Sequence, residues 1–253
     1  MSIRKHIPNI FTSLNILSGS IAIVFAFEGL FHITAIFIGI AALCDFADGM
    51  FARLLKAYSD IGKELDSLAD MLSFGFTPAV VLFKLLQQTE GSLSLVVADI
   101  NVLPFAAFLI TIFSALRLAI FNTDSRQSEQ FIGLPTPANA LFFVAIPFAL
   151  HYGAESSFWH PLFAYITQDP YTLLGLTIVF SYLLVAEVPL FSLKLKNIRW
   201  AENSIRYVFL GFSVILLIFF GWYALSLIII LYIILSLAQY TGRGNKNRLS
   251  DKN

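Results

Sequence analysis

The sequence predicts an all-α integral membrane protein, a bundle of about eight transmembrane helices. Hydrophobic residues make up 58% of the 253 residues and charged residues only 13%, whereas a soluble domain carries about 25% charged residues. The hydrophobic residues occur in long runs that short polar connections separate, as needed to cross the hydrocarbon core of a bilayer. The formal net charge is zero, which argues against nucleic acid as a partner.

Eight apolar spans follow one another along the chain and predict a single polytopic membrane domain over residues 1–253. The predicted spans are Asn9–Phe27, Phe31–Leu55, Lys63–Leu86, Asn101–Asn122, Pro135–His151, Tyr171–Lys194, Ile205–Gly221 and Tyr223–Tyr240. The first six spans form the predicted catalytic core, about residues 1–196. Two additional helices, about 205–240, and a short basic C-terminal tail, 241–253, complete the domain.

Positive charge is concentrated on one side of this eight-span arrangement. The cations on that side are Arg4, Lys5, Arg53, Lys56, Lys63, Arg117, Arg126, Lys194, Lys196, Arg199, Arg206, Arg243, Lys246, Arg248 and Lys252. Only Lys84 lies towards the other side. Because cytoplasmic loops carry an excess of lysine and arginine, we expect a multi-pass protein of the cytoplasmic (inner) membrane with both termini in the cytoplasm.

Four aspartates flank the connection between the second and third spans, on the predicted cytoplasmic side. Asp45 and Asp48 are three residues apart and Asp66 and Asp70 are four apart, so each pair lies on one helix face. A turn near Tyr58 brings both pairs to nearly one depth. Placing a carboxylate inside a bilayer is unfavourable in free energy, so carboxylates found there mark functional sites. Since four converging carboxylates repel one another, the pattern predicts a divalent cation, for which hard oxygen ligands favour Mg²⁺ or Mn²⁺.

Small and cationic residues accompany the aspartates. Gly49 and Ala52 remove bulk from the helix that carries the first pair, and Gly62 does the same where the third span begins. This leaves room for a ligand beside the carboxylates. Arg53 offers a cation near the membrane surface that suits a phosphate group or an aspartate. The alternative for Arg53 is a positive-inside anchor.

Written out, the pattern is Asp45-x2-Asp48-Gly49-x2-Ala52-Arg53-x8-Gly62-x3-Asp66-x3-Asp70. It resembles the full signature of the CDP-alcohol phosphotransferases. The resemblance implies that family's helical membrane fold, a donor bound at Gly49, Ala52, Arg53 and Gly62, and a homodimer in the lipid bilayer.

The first span begins with a polar run that is similar to the PN-x2-T start of family members. Asn9, Thr12 and Asn15 recur at helical spacings, and the resemblance implies that polar residues here face the substrates. Donor contacts are therefore expected for Asn9 and Thr12 and an acceptor contact for Asn15. The alternative is that these side chains cap and line the start of a membrane helix.

Three later segments resemble one branch of the family, the phosphatidylserine synthases or CDP-diacylglycerol–serine O-phosphatidyltransferases. They are Ser73–Ala79, Ala115–Asn122 and Gly133–Ala138. The branch usually has Arg or Lys where this chain has Ile120, a departure that weakens the case for acceptor contacts there. The resemblance implies transfer of a phosphatidyl group from CDP-diacylglycerol to L-serine, which gives phosphatidylserine and CMP.

The same resemblance makes Asp70 the general base that takes the proton of the serine hydroxyl, besides its part in holding the metal. Arg117 lies in the second branch segment, and its planar guanidinium suits the serine carboxylate. The alternative is that Arg117 is a positive-inside anchor.

Two other functions stay open at this point. The same chemistry with glycerol 3-phosphate or an inositol phosphate needs a cluster of basic residues near the site, for which Arg53, Arg117 and Arg126 are available. A cation transporter would explain carboxylates inside a membrane. It would not explain the spacing of the glycines and Arg53 relative to the aspartates.

Overall fold

The computed structural model describes residues 6–57, 59–89, 93–124, 131–191 and 200–250, and only the backbone of residues 241–250. The predicted turn near Tyr58 lies outside the described residues. Several cations that predict the orientation lie outside as well: Arg4, Lys5, Arg126, Lys194, Lys196, Arg199 and Lys252, together with the side chains of Arg243, Lys246 and Arg248. The orientation in the membrane therefore stays a prediction.

The described chain is almost entirely helical. The α-helices are α1 (Ile7–Phe27), α2 (Phe31–Leu54), α3 (Asp60–Asp70), α4 (Thr77–Gln88), α5 (Leu109–Thr123), α6 (Thr136–Tyr152), α7 (His160–Gln168), α8 (Pro170–Val185), α9 (Trp200–Phe220) and α10 (Ala224–Ser250). A π-helical turn, Met71–Phe76, joins α3 to α4, and 3₁₀ helices precede α5 and α10 at Leu103–Phe108 and Gly221–Tyr223. Two short antiparallel pairs of strands complete the list: β1 (Val96–Val97) with β2 (Ile100–Asn101), and β3 (Phe131–Ile132) with β4 (Pro189–Leu190).

Each of the eight predicted spans contains a helix, which confirms the all-α membrane fold. Five helical stretches are long and apolar enough to cross a bilayer by length and composition: Ile7–Phe27, Phe31–Leu54, Asp60–Gln88, Leu103–Thr123 and Asn203–Tyr240. The last of these covers most of α9 and the first part of α10. With 17 and 16 residues, α6 and α8 fall short of the roughly 20 residues that a full span needs.

The sixth predicted span, Tyr171–Lys194, is wrong at its end, because α8 already stops at Val185. Backbone hydrogen bonds turn the chain here: the Leu134 N–H donates to the Leu183 carbonyl (2.8 Å) and the Gly133 N–H to the Val188 carbonyl (3.0 Å). Gly133 has φ +78°, a conformation that favours glycine. Pairing of β3 with β4 thus ends a helix that hydrophobicity alone would continue.

The helix α7 is a second feature that the sequence did not predict, since nine residues are too few to register as a membrane span. The residue between α7 and α8, Asp169, caps α8. Its carboxylate accepts hydrogen bonds from the Thr172 N–H (2.8 Å) and hydroxyl (2.5 Å). These two bonds lower the pKa of Asp169 and fix where α8 begins.

The antiparallel hairpin of α1 and α2 carries the functional end of the molecule. Near its turn, the Thr34 hydroxyl of α2 donates to the Ala22 carbonyl of α1 (3.3 Å). At the opposite end, the Thr12 hydroxyl of α1 donates to Asp48 of α2 (2.9 Å). The hairpin is therefore tied at both ends, and its open end holds the first aspartate pair.

The π-helical turn packs closely between α1 and α5. A Cβ on Gly19 would lie 2.1 Å from Ser73 Oγ and 3.0 Å from Ser73 Cα, and a Cβ on Gly75 would lie 2.9 Å from Ser114 Cβ. Glycine is thus needed at both positions for the helices to approach.

The last two helices fold back on each other and pack against the core. Gly221 has φ +54° at the turn between α9 and α10, and the rings of Phe209 and Tyr232 meet across the pair at 5.9 Å. The Ser226 hydroxyl donates to the Phe142 carbonyl of α6 (3.1 Å). The helix α10 continues past the predicted span end at Tyr240, into the predicted tail.

Gly19→Ala should lower the free energy of unfolding, because the new methyl group must displace the backbone of Ser73. Overpacking of this kind costs about 1–3 kcal/mol. Gly39→Ala is the matched control, since nothing lies within 4 Å of a Cβ built there. Melting temperatures of both purified variants in one detergent test this. Equal melting temperatures would contradict the close packing of α1 on the π-helical turn.

Candidate active site

Three of the four aspartates converge at the open end of the hairpin. Asp45, Asp48 and Asp66 each offer one carboxylate oxygen, and these oxygens all lie within 4.8 Å of one another. Asp48 is buried, with 6% of its surface exposed, and the other two are half-buried. Helix α2 supplies two of the carboxylates and α3 the third, so the site exists only when α3 packs on the hairpin.

Hydrogen bonds position one of these side chains and the start of the helix that carries another. The Thr12 hydroxyl lies 2.9 Å from Asp48 Oδ2 and 3.2 Å from its own helix's Pro8 carbonyl, so α1 orients the central carboxylate. The Ser59 hydroxyl caps α3 by accepting a hydrogen bond from the Gly62 N–H (3.0 Å). This cap fixes the start of the helix that brings Asp66 to the group.

The donor set fits a hard divalent cation. Within the described residues, Asp66 Oδ1 is buried and has no hydrogen-bond partner, although buried polar atoms are nearly always paired. Three carboxylates this close also repel one another in a low-dielectric site. A divalent cation would give the Asp66 oxygen a partner and would offset the repulsion among the three carboxylates. Carboxylate oxygens are the ligands that Mg²⁺ and Mn²⁺ favour.

A cavity of about 130 Å³ opens beside Asp48 and Asp66. Its lining residues come from α1, α2, the connection that follows α2, and α3: Pro8, Asn9, Thr12, Asp48, Ala52, Ala57, Ser59, Gly62, Lys63 and Asp66. The lining thus includes four of the residues predicted to bind the donor: Asn9, Thr12, Ala52 and Gly62. Gly49 and Arg53 are absent from the described lining; Arg53 is exposed, with its guanidinium nitrogens 3.7 and 3.9 Å from a Cβ built on Gly49.

The absence of a side chain at Gly62 leaves space in this cavity. A Cβ there would lie 2.9 Å from Ser59 Oγ and 3.2 Å from Asn9 Oδ1. A side chain at this position would push α1 and α3 apart or fill the cavity. Gly49 differs, because a Cβ there would make only ordinary contacts with Arg53.

Lys63 lines the cavity, whereas the sequence suggested only a role in membrane orientation. Its ammonium donates to the Asn122 carbonyl at the end of α5 (3.1 Å). The Asn122 amide in turn donates to the Ser67 hydroxyl (2.8 Å). The one available signal was its place directly after Gly62, in the first turn of the helix that carries Asp66.

Asp70 lies one helical turn beyond Asp66 and stands apart from the group of three. Its Oδ1 accepts a hydrogen bond from Asn15 Nδ2 of α1 (3.4 Å). It interacts electrostatically with the three other aspartates and with Arg117. Three of the four predicted carboxylates thus lie within 4.8 Å of one another, while Asp70 interacts with them and also contacts Asn15. A part for Asp70 in holding the metal stays a prediction.

Arg117 is buried, with 7% of its surface exposed. Its Nε donates to the Leu134 carbonyl (2.6 Å), and its guanidinium lies 5.5 Å from the centre of the Phe121 ring. An anchor at the membrane interface would reach towards solvent, so this burial does not fit the anchor alternative. Ile120, by contrast, is exposed.

The π-helical turn begins directly after Asp70 and was not predicted. Such turns are rare and occur frequently at functional sites. Here the Ser73 hydroxyl donates to the Asn15 carbonyl (3.1 Å), which ties α1 to the turn. The sequence showed this segment only as a branch-specific motif.

Fold and site together define a polytopic α-helical membrane protein with three converging carboxylates that fit a divalent cation, beside a cavity. The sequence profile of the CDP-alcohol phosphatidyltransferase family matches residues 5–234. The chain belongs to this family.

Several relatives carry the name CDP-diacylglycerol–serine O-phosphatidyltransferase. The Bacillus subtilis protein is 33% identical over 148 residues, which is 57% of this chain and 76% of the relative. The Methanocaldococcus jannaschii protein is 37% identical over 145 residues, 56% of this chain and 62% of the relative. The Mycobacterium leprae protein is 36% identical over 156 residues, 58% of this chain and 49% of the relative. The match thus spans about half the length of the mycobacterial relative and three quarters of the Bacillus one.

Asp66→Asn should weaken binding of Mn²⁺, because the substitution removes one of three converging charges. Changes around a metal site typically cost 10–100-fold in affinity, so we expect a loss of at least about tenfold. Asp60→Asn on the same helix is the matched control, since Asp60 is exposed and outside the group. Titration of free Mn²⁺ by electron paramagnetic resonance measures this without relying on turnover. Equal affinities for the two variants would contradict the cation site.

Proposed function

We propose that this protein transfers the phosphatidyl group from CDP-diacylglycerol to L-serine, releasing CMP and forming phosphatidylserine. The observation that carries the proposal is the group of three carboxylates, with its unpartnered Asp66 oxygen, at the edge of a cavity in a membrane protein. Family membership and the printed names of the relatives support the reaction and its acceptor.

The donor binds with its nucleotide and pyrophosphate in the cavity and its acyl chains in the bilayer. Asn9 and Thr12 face the donor from α1, while Ala52 and Gly62 leave it room. Arg53 and Lys63 supply positive charge, and Gly49 lets the donor approach α2. Support for these roles comes from the cavity lining and, for Gly49 and Arg53, from their place in the family pattern.

The cofactor is Mg²⁺ or Mn²⁺, held by Asp45, Asp48 and Asp66 and in part by Asp70. When bound, the ion supplies positive charge against the donor pyrophosphate and the CMP leaving group. Thr12 contributes by holding Asp48 in the orientation that the ion needs.

In the chemical step, the serine hydroxyl oxygen attacks the β-phosphorus of CDP-diacylglycerol and forms the new P–O bond. The bond from this phosphorus to the bridging oxygen breaks, and CMP leaves with the electron pair. Asp70 accepts the hydroxyl proton as general base. Arg117 holds the serine carboxylate with its guanidinium, which points the hydroxyl towards Asp70.

We further propose that the protein is a homodimer in the cytoplasmic membrane, with the site and both termini facing the cytoplasm. The placement of lysine and arginine in the sequence supports this orientation. The cytoplasm supplies serine and divalent cations, and the inner leaflet supplies the donor.

An acceptor panel tests the function. Purified protein in mixed micelles receives CDP-diacylglycerol with L-serine, glycerol 3-phosphate, an inositol phosphate or choline, and released CMP is measured. We expect release with serine and phosphatidylserine as the lipid product. Release with another acceptor alone would overturn serine as the substrate, and no release with any acceptor would favour a cation transporter.

Asp70→Asn should lower kcat and leave binding of CDP-diacylglycerol nearly unchanged. The amide keeps the size of the side chain but cannot take a proton, and general-base catalysis is typically worth ~10²–10⁴-fold in rate. Asp66→Asn should instead raise both the donor KM and the Mg²⁺ concentration required. Turnover and donor binding measured across a range of Mg²⁺ concentrations separate the two roles. Rescue of Asp70→Asn by added Mg²⁺ would mean that Asp70 is chiefly a ligand.

A further inference from the structure

The side chain of Asn15 is a fully buried amide with one oxygen left unpaired. Its exposed fraction is 0%. Its Nδ2 lies 3.4 Å from Asp70 Oδ1, and because an ionised carboxylate only accepts hydrogen bonds, the nitrogen must face Asp70. The amide oxygen Oδ1 then points away from Asp70. Among the described residues this oxygen has no hydrogen-bond donor, which is costly for a buried polar atom.

The backbone holds Asn15 in this place. The Asn15 carbonyl accepts a hydrogen bond from the Ser73 hydroxyl (3.1 Å). One turn along α1, Gly19 allows the same serine to pack against the helix. The amide is therefore positioned by two packed helical segments, as a built binding group would be.

The neighbouring charges suit a zwitterion. Asp70 supplies a carboxyl group, and Arg117 interacts with it electrostatically. Arg117 uses Nε for the Leu134 carbonyl (2.6 Å), and within the described chain no hydrogen bond involves its two terminal nitrogens. Those nitrogens are free for a ligand carboxylate, while the Asn15 oxygen is free for a donor.

We propose that Asn15 Oδ1 accepts a hydrogen bond from the ammonium group of the amino-acid acceptor. The inference rests on the proposed function, because it takes serine as the acceptor and assigns its chemical groups to residues of this site. The two polar atoms of one amide are close neighbours, so Oδ1 lies within about 6 Å of Asp70 Oδ1. Serine carries its hydroxyl and ammonium on adjacent carbons. A serine whose hydroxyl contacts Asp70 therefore brings its ammonium within reach of Asn15.

An amide oxygen suits this task better than a carboxylate would. A fifth negative charge beside four aspartates would add to their repulsion and oppose the donor pyrophosphate. The neutral oxygen accepts from the ammonium without that cost. Together, Asp70, Arg117 and Asn15 contact the hydroxyl, carboxylate and ammonium groups, and an acceptor that lacks the ammonium leaves the Asn15 oxygen unpaired.

The test compares L-serine with 3-hydroxypropionate, which has the same hydroxyl and carboxylate but no amino group. Asn15→Leu is assayed in detergent with saturating CDP-diacylglycerol, and Asn15→Ala, which adds no bulk, is the second variant. We expect the serine KM to rise about 10–100-fold, the range for a hydrogen bond to a charged group. The inhibition constant of 3-hydroxypropionate against serine should stay unchanged, because that molecule makes no contact with Asn15 Oδ1.

Thr34→Val is the matched control, since it removes a buried hydrogen bond between α1 and α2 at the far end of the hairpin. It should leave the serine KM unchanged. Two results would overturn the inference: an unchanged serine KM in both Asn15 variants, or a parallel rise in the serine KM and the 3-hydroxypropionate constant. The parallel rise would make Asn15 a positioning residue for Asp70. Failure of the proposed function looks different, because the wild-type protein would then release no CMP with serine.

Discussion

The mutual repulsion of carboxylates inside a membrane protein is the constraint on which the rest of this structure depends. Asp45, Asp48 and Asp66 bring three oxygens within 4.8 Å of one another, and a low-dielectric surrounding makes such an arrangement unfavourable without cations. Two features beside the carboxylates bear on this repulsion. Thr12 donates to one carboxylate, and the unpartnered oxygen of Asp66 is available to an ion. A bound cation would therefore stabilise this arrangement of carboxylates.

The same constraint explains why the helices around the site pack so closely. Several helical segments place side chains at one site, and glycines allow these segments to pack closely where they meet. These contacts are Gly62 against Asn9, Gly19 against Ser73, and Gly75 against Ser114. The π-helical turn after Asp70 belongs to this packing, because it carries two of these contacts. In the proposed mechanism, the cavity and Lys63 form the donor side of the site, and Asn15 and Arg117 form the acceptor side.

The sequence predicted the features that depend on composition and local spacing. Runs of apolar residues predicted a helix at each of the eight spans. The spacing of the aspartates predicted four converging carboxylates, of which three lie within 4.8 Å of one another. It did not predict where α8 ends, because backbone pairing with β3 decides that. Nor did it predict the separate position of Asp70 or the place of Lys63 in the cavity. Both depend on how α1 and α5 meet α3, which is a matter of tertiary packing and leaves no periodic pattern.

In the proposed mechanism, Asp45, Asp48 and Asp66 are the main ligands of the cation, and Asp70 contributes only in part while one of its oxygens faces the acceptor. Anomalous scattering from crystals of the protein grown with Mn²⁺ and CDP-diacylglycerol tests it most directly. We expect anomalous peaks at bonding distance, about 2.0–2.2 Å, from oxygens of Asp45, Asp48 and Asp66, with the Asp70 oxygen that faces Asn15 free of metal. Peaks that lie away from these three carboxylates, or an ion bound between Asp70 and Asn15, would contradict it.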